Sequence, residues 1–186
     1  MGKIILASSS PRRADILKES GYSYEIIPSP YEEIHAQTVF SYEYIEGLAY
    51  NKAAAVASFV SNNSIVIGAD TMVVIDNIIL GKPNDFEVAF EMLKRLSGRT
   101  HKVVTAIAII DKQNGFKKTR SVTSEVEFYH LTDKMIKDYI LEFKPYDKAG
   151  SYGIQEMPSG YIKNYSGSLK NIIGLCPDAL KEMLVK

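Results

Sequence analysis

The sequence has no tryptophan, a single cysteine and only three histidines among 186 residues. Because Cys176 stands alone, an intrachain disulfide is excluded, and this cysteine usage is typical of a reducing compartment. His35, His101 and His130 are too scattered to match the spacing of a metal site. The sequence also lacks GxGxxG, GxxxxGKS/T, HExxH, CxxC and GxSxG patterns, so the commonest dinucleotide, P-loop, zinc, dithiol and serine-hydrolase sites are not indicated.

The sequence has neither an excess of one charge nor a long hydrophobic run. Lys plus Arg and Asp plus Glu both number 22, so the formal net charge is zero, which leaves room for a local basic pocket only. The apolar runs fall short of the ~18 residues of a membrane span, and the N-terminus lacks a signal-peptide pattern. We therefore expect a cytoplasmic, soluble protein of one domain, residues 1–186, without nucleic-acid or membrane partners. The sequence does not determine the oligomeric state, and a homodimer is one alternative.

The N-terminal stretch IILASSSPRRADIL combines a short strand with a capped helix. Ile4–Ala7 is a short apolar run typical of a buried strand, and Ser10 followed by Pro11 predicts a helix start. Arg12 and Arg13 then occupy the first helical turn, where the helix dipole disfavours each cation by roughly 0.3–1 kcal/mol. Free amides, serine hydroxyls and two guanidiniums together indicate a polyphosphate cradle. The alternative is a surface helix with two solvated arginines.

Two charged residues interrupt otherwise apolar patterns. Ser41 predicts the start of a helix whose apolar stripe contains Lys52, which either snorkels to the core edge or points into a pocket. Ile65–Ile75 reads as an apolar strand broken at Gly68–Thr71. Asp70 within it is costly to bury unless it is paired, protonated or metal-bound. The alternative is that Asp70 caps a turn.

The rest of the chain alternates between strands and helices. The signals predict a strand at 22–28, a hairpin turn at Asp76–Asn77, Lys82 on a stiff loop, a helix from Asn84 or Asp85 to Gly98, strands within 101–131, a helix from Thr132 or Asp133 to Phe143, a polar loop at Asp147–Gln155, a strand at Asn171–Leu175 and a helix from Pro177 to Leu184. Early βαβ alternation followed by hairpins predicts an α/β sandwich on a mixed sheet.

The charged residues singled out by these patterns suit phosphoanhydride chemistry. Cations neutralise charge on phosphate oxygens and on a leaving pyrophosphate, while carboxylates hold Mg²⁺ or Mn²⁺ and orient or deprotonate an attacking water. No covalent nucleophile is needed, which agrees with the missing nucleophile motifs. The candidate cations and carboxylates are Arg12, Arg13, Lys52, Lys82, Glu33 and Asp70.

Five motifs in this chain closely resemble those of the Maf family of nucleoside triphosphate pyrophosphatases, first named as septum-formation inhibitors. They are SSSPRR at 8–13, GADT at 68–71, GKP at 81–83, LSGRTH at 96–101 and DKAGSYGIQ at 147–155. The resemblance implies hydrolysis of a nucleoside triphosphate to the monophosphate and pyrophosphate with a divalent metal, Mg²⁺ or Mn²⁺. It also implies the fold of inosine-triphosphate pyrophosphatases: an elongated mixed β-sheet flanked by helices, with a cleft between two lobes.

The resemblance also assigns roles to individual residues. It implies that Asp70 is the proton acceptor, that Glu33 lies near the metal and phosphates, and that Asp70 and Glu33 are the candidate metal ligands. A catalytic set of Asp70, Glu33, Lys52 and Lys82 follows, with Ser8, Ser10, Arg12, Arg13, Thr71 and Gln155 as substrate-binding residues.

Three of these positions, Arg12, Thr71 and Gln155, match the dTTP/UTP branch of the family. A glutamine amide can both donate and accept at the O4 and N3–H edge of a pyrimidine. Glu156, Pro158 and Ser168–Leu169 depart from the family pattern on the expected base side. The alternatives are a nucleotide-binding regulator of cell division and a pyrophosphatase for 7-methyl-GTP or inosine nucleotides.

Overall fold

The computed structural model describes residues 2–32 and 37–185. In chain order the elements are β1 (Lys3–Leu6), α1 (Pro11–Glu19), β2 (Tyr24–Ile26), α2 (Tyr42–Ala57), β3 (Ser64–Ile75), β4 (Ile78–Leu80), α3 (Phe86–Leu96), β5 (Thr100–Asp111), β6 (Phe116–Phe128), α4 (Asp133–Phe143), a 3-10 turn (Ala149–Ser151), β7 (Ile162–Ser166), α5 (Leu169–Ile173) and α6 (Pro177–Leu184). None of the helices in these two ranges is long and apolar enough to cross a membrane.

One mixed sheet contains the strands in the order β2-β1-β3-β5-β6-β7, with β4 also paired to β3. On one edge, β3 pairs with β1 at residues 64–67 and with β4 at residues 73–75. Within the described ranges, residues 68–72 therefore have no neighbouring strand on that edge, whereas β5 pairs along the opposite edge. Asp70 and Thr71 lie in this gap. Among the described residues, the edge of β3 is therefore free of a neighbouring strand at the charged residue that interrupts its apolar pattern.

Helices cover both faces of the sheet, which confirms the predicted α/β class with flanking helices. Because side chains alternate along a strand, odd and even residues of β3 face different cores. Ile65 packs in a core beneath α1 and α6, and Val73, further along the same face, packs in a second core beneath α3 and α4. Val66, on the opposite face, packs beneath α2. The two cores that share a face form the two lobes, and a cleft lies between them.

Local signals place most element boundaries where the sequence predicts them. Ser41, Asp85 and Thr132 each accept a hydrogen bond from the backbone N–H three residues later, so all three cap their helices. The hairpin turn between β3 and β4 has φ angles of 53° at Asp76 and 61° at Asn77. Two consecutive positive φ angles favour Asn and Asp, which explains why this pair was a usable turn signal.

Two predictions about strands are wrong. Asn171–Leu175 does not form a strand, because Ser168 caps a helix at Leu169–Ile173 and Gly174, at φ 139°, ends it. A short apolar run alone does not distinguish a buried strand from a short helix. The break predicted at Gly68–Thr71 is also absent, since β3 continues through it from residue 64 to 75.

Candidate active site

The cleft between the lobes brings together eight of the residues predicted for the site. Apolar residues of β3, β4, β5 and α5 line part of it. The predicted residues that line it are Ser10, Arg12, Arg13, Lys52, Asp70, Thr71, Lys82 and Gln155. Ser8 is buried behind this surface, and Glu33 lies outside the described residues. The cleft thus combines cationic side chains with an apolar wall. This combination suits a ligand that has an anionic tail joined to a flat ring.

Lys52 points into the cleft and forms an ion pair with Asp70. Both side chains are about nine-tenths buried, and the Lys52 ammonium donates a hydrogen bond to Asp70 Oδ1. This contact excludes the turn-cap alternative for Asp70 and the snorkelling alternative for Lys52. A buried charge is tolerated when it is paired, so the pair accounts for two charged residues inside apolar patterns.

Gly68 allows α2 to approach β3 closely enough for this pair to form. A Cβ atom at Gly68 would lie 2.2 Å from the Ala49 carbonyl oxygen and 2.8 Å from the Ala53 nitrogen, both in α2. Any side chain at this position would therefore push the helix away from the strand. The glycine that suggested a break in the strand is in fact a packing requirement.

Arg13 lines the cleft and joins three parts of the chain there. Its guanidinium donates hydrogen bonds to Ser8 Oγ (3.1 Å), to Thr71 Oγ1 (3.1 Å) and to the Gly174 carbonyl (3.0 Å). Thr71 Oγ1 in turn lies 3.0 Å from Thr105 Oγ1 on the neighbouring strand. Ser8 therefore contacts Arg13 rather than the cleft, and Arg13 holds β3, α1 and the end of α5 together.

The start of α1 lies beside Arg13 and faces the cleft. Ser10 occupies the N-cap position, but its side chain does not cap the helix. Instead the Ser10 N–H donates to Ser8 Oγ at 3.2 Å, so Ser8 stabilises the turn and Ser10 is left on the cleft wall. The first amides of an α-helix lack intrahelical partners, and Ser10 and Arg12 at the start of α1 both line the cleft.

Lys82 and Gln155 come from two loops that meet at the far wall. Lys82 is exposed and precedes the buried Pro83, which anchors its loop. The Gly150 N–H donates to the Gly81 carbonyl at 3.0 Å and thereby ties the loop at 147–155 to the Lys82 loop. Gln155 is exposed on the same wall. The structure thus places the predicted base-side residue opposite the start of α1.

Sequence reasoning did not assign a role to three charged residues of the cleft: Asp147, Lys148 and Glu156. Asp147 forms ion pairs with Arg12 and Lys148, and Lys148 also pairs with Glu156. Partial burial raises the pKa of Asp147, but the hydrogen bonds and charges of Lys148 and Arg12 outweigh it and leave this pKa below 3.8. Asp147 and Lys148 begin the DKAGSYGIQ motif and Glu156 directly follows it, so the motif was a usable signal, yet the partners of these charges became evident only in the fold.

His101 and Tyr152 form a buried hydrogen-bonded pair at the wall of the cleft. His101 Nε2 lies 2.7 Å from Tyr152 Oη, and both residues are buried. Burial lowers the pKa of His101 to about 4 and raises the pKa of Tyr152, so both groups are neutral near pH 7. Tyr152 lines the cleft, and His101 therefore belongs to its support rather than to a metal site.

The described residues offer no cage of side chains for a metal ion. Among residues 2–32 and 37–185, no group of three or more His, Cys, Asp or Glu is placed to hold one. Mg²⁺, however, usually binds one or two carboxylates together with substrate phosphates and water. Asp70, a carboxylate on the cleft wall, fits that mode. Glu33, the other predicted ligand, lies outside the described residues.

The fold and the site define an α/β protein with a two-lobed mixed sheet and a cationic cleft at an open strand edge. The family model described as Maf-like protein matches residues 3–186, and the chain belongs to this family. It is 43% identical over 187 residues to the dTTP/UTP pyrophosphatase of Ruminiclostridium cellulolyticum, covering 100% of this chain and 96% of that protein.

Other known proteins are similar over most of the chain. The dTTP/UTP pyrophosphatase of Bacillus cereus is 44% identical over 177 residues, covering 94% of this chain and 90% of that protein. A crystal structure of a nucleoside-triphosphatase / dITP/XTP pyrophosphatase from Mycobacterium abscessus overlaps with a TM-score of 0.47 at 19% identity, over 69% of this chain and 75% of that one.

Proposed function

We propose that this protein hydrolyses dTTP and UTP to the nucleoside monophosphate and pyrophosphate. The observation that carries the proposal is the buried Lys52–Asp70 pair, which lies at the open edge of β3 in the same cleft as Arg12 and Lys82. One acid close to several cations is the arrangement that water attack on a bound polyphosphate requires. Full-length relatives above 40% identity that are named dTTP/UTP pyrophosphatases support the same activity.

In the proposed reaction, a water oxygen attacks the α-phosphorus. The bond between that phosphorus and the oxygen bridging to the β-phosphate breaks, and pyrophosphate leaves with the electron pair. Asp70 accepts the proton of the attacking water, and Lys52 holds the Asp70 carboxylate in position. Arg12 and Lys82 neutralise the charge that develops on the phosphate oxygens.

A divalent metal ion belongs to the proposal, with Mg²⁺ or Mn²⁺ as the candidates and Asp70 and Glu33 as the proposed ligands. Bound by carboxylates and phosphate oxygens, such an ion supplies neutralisation of phosphate charge and orientation of the water. On the opposite wall, the Gln155 amide offers a donor and an acceptor to the base. Arg12 and Thr71 are the other two proposed determinants of substrate choice.

A nucleotide panel tests the activity directly. The purified protein is incubated with dTTP, UTP, CTP, GTP, ITP and 7-methyl-GTP, each with Mg²⁺, with Mn²⁺ and with EDTA, and pyrophosphate is quantified separately from orthophosphate. We expect pyrophosphate from dTTP and UTP, and none with EDTA. A preparation that binds nucleotides but releases no pyrophosphate from any of them would favour the alternative of a nucleotide-binding regulator.

An isotope experiment tests the position of attack. When the reaction runs in ¹⁸O-labelled water, attack at the α-phosphorus places one ¹⁸O atom in the nucleoside monophosphate and none in the pyrophosphate. Label in the pyrophosphate would indicate attack at the β-phosphorus instead and would contradict the proposed geometry. Mass spectrometry of the two products distinguishes these outcomes.

A further inference from the structure

An ion pair between Arg12 and Asp147 bridges the two walls of the cleft. Arg12 Nη1 lies 3.2 Å from Asp147 Oδ2. Arg12 belongs to α1, which packs on one core, while Asp147 begins the loop whose Ala149 and Tyr152 pack on the other. The guanidinium proposed to bind phosphate is therefore already occupied by a carboxylate of the opposite lobe.

Asp147 is held at this place independently of Arg12. Lys148 Nζ lies 2.8 Å from Asp147 Oδ1 and 3.2 Å from Glu156 Oε2, and the Lys148 side chain is only 10% exposed. Gly153 makes room for this arrangement, because a Cβ atom there would lie 3.0 Å from Lys148 Cε. The buried ammonium thus keeps the Asp147 carboxylate at the cleft when Arg12 moves away.

The Arg12–Asp147 pair itself is weak enough to exchange. The Arg12 side chain is 31% exposed and that of Asp147 is 62% exposed. Exposed ion pairs of this kind typically change an equilibrium constant by roughly 1.5- to 5-fold. A triphosphate carries more negative charge than one carboxylate and offers a guanidinium bidentate contacts. Arg12 can therefore leave Asp147 for a phosphate at little cost.

We propose that Asp147 holds the Arg12 guanidinium in the free protein and competes with the substrate for it. The inference rests on the proposed function, because it requires that Arg12 contacts the phosphate tail. Asp147 then lowers substrate affinity, because Arg12 must leave the Asp147 carboxylate when the phosphate tail binds.

Binding of inorganic tripolyphosphate tests this exchange without requiring turnover. Isothermal titration calorimetry compares the wild type, Asp147→Asn, Arg12→Gln and the double variant at low ionic strength. Asp138→Asn is the matched control, because Asp138 is an exposed acid in an ion pair with Lys134 and does not line the cleft. Each variant is checked for folding by circular dichroism and thermal unfolding.

We expect Asp147→Asn to tighten tripolyphosphate binding by roughly 2- to 5-fold, with no change for Asp138→Asn. In the Arg12→Gln background the same substitution should change binding by less than 1.5-fold, since the competing partner is gone. If Asp147→Asn tightened binding equally in the wild type and in Arg12→Gln, the effect would come only from removal of a negative charge. That result would overturn the proposal. Weaker binding by Asp147→Asn would also overturn it, because Asp147 would then assist ligand binding rather than compete with the ligand.

Nucleotide kinetics separate this proposal from the proposed function. With dTTP, Asp147→Asn should lower KM by the same factor as the tripolyphosphate Kd and leave kcat within about twofold. A matching loss of kcat would assign Asp147 to the chemical step and contradict a role limited to competition for Arg12. If the wild type hydrolyses no nucleotide, the proposed function fails, while the calorimetric cycle still decides whether Arg12 exchanges between Asp147 and a polyphosphate.

Discussion

Lys52 and Asp70 are 18 residues apart in sequence, yet the Lys52 ammonium donates a hydrogen bond to Asp70 Oδ1 inside the cleft. One lies in the middle of a helix and the other in the middle of a buried strand. Neither position is favourable for a charge by itself, and each side chain provides the partner that the other requires. The pair is therefore both a packing element and the chemical centre of the proposed site.

Asp70→Asn should reduce pyrophosphate release by roughly 10²- to 10⁴-fold, because the amide cannot accept the proton of the attacking water. Nucleotide binding measured in EDTA should stay within about tenfold, since the substitution removes a base and a proposed metal ligand rather than a direct phosphate contact. Steady-state kinetics and calorimetric titration with dTTP measure the two effects. Near-wild-type turnover by this variant would show that Asp70 is not the base.

Gly68→Ala should separate Lys52 from Asp70 without altering either residue. The added Cβ overlaps the Ala49 carbonyl, so α2 must shift, and we expect a loss of about 2 kcal/mol in the free energy of unfolding together with reduced kcat. Urea unfolding and dTTP kinetics measure these changes.

Gly47→Ala is the matched control, because Gly47 lies within the same helix and nothing is within 4 Å of its Cβ position. There alanine should stabilise the protein by roughly 0.5–1 kcal/mol and leave kcat unchanged. If both variants behave alike, close approach of α2 to β3 does not determine the site.

The stability of the fold should fall between pH 6.5 and pH 4 in a manner that depends on His101. Burial lowers its pKa from 6.5 to about 4, so in this window the unfolded chain binds a proton that the folded protein does not. The separation of the two pKa values corresponds to a loss of about 3 kcal/mol on acidification, complete near pH 4. Above pH 6.5 this contribution is fully present.

His101→Gln removes this titration and can still hydrogen-bond to Tyr152. As the pH falls, the wild type should therefore lose stability relative to the variant. The shared carboxylates affect both proteins equally. Urea unfolding at several pH values measures this difference. An NMR titration of the wild type that places the pKa of His101 near 6.5 would refute the prediction.

Gln155→Glu should lower kcat/KM for dTTP and UTP by roughly tenfold, because it removes the amide donor and adds a negative charge at the base-side wall. Thermal unfolding should be unaffected, since Gln155 is exposed. Gln113→Glu, the same change at an exposed position in the turn after β5, is the matched control. Unchanged selectivity for dTTP, UTP and 7-methyl-GTP in the Gln155 variant would exclude a base-reading role.

Predictions from helix-cap and hairpin-turn signals agreed with the structure, whereas the break predicted at Gly68 did not, because close packing of α2 explains that glycine. The helix caps at Ser41 and Thr132 and the turn at Asp76–Asn77 depend on hydrogen bonds and φ angles within a few residues. The short helix at Leu169–Ile173 was missed because five apolar or mixed residues do not define a period.

The motifs of the sequence determined the family of this protein and the set of charged residues from which its site is built. Only the tertiary structure decided their partners: Lys52 pairs with Asp70, Arg13 with Ser8, and Arg12 with Asp147. The physical reason is distance along the chain. Caps and turns are satisfied locally, whereas a charge finds its counter-ion only after helices and strands have packed.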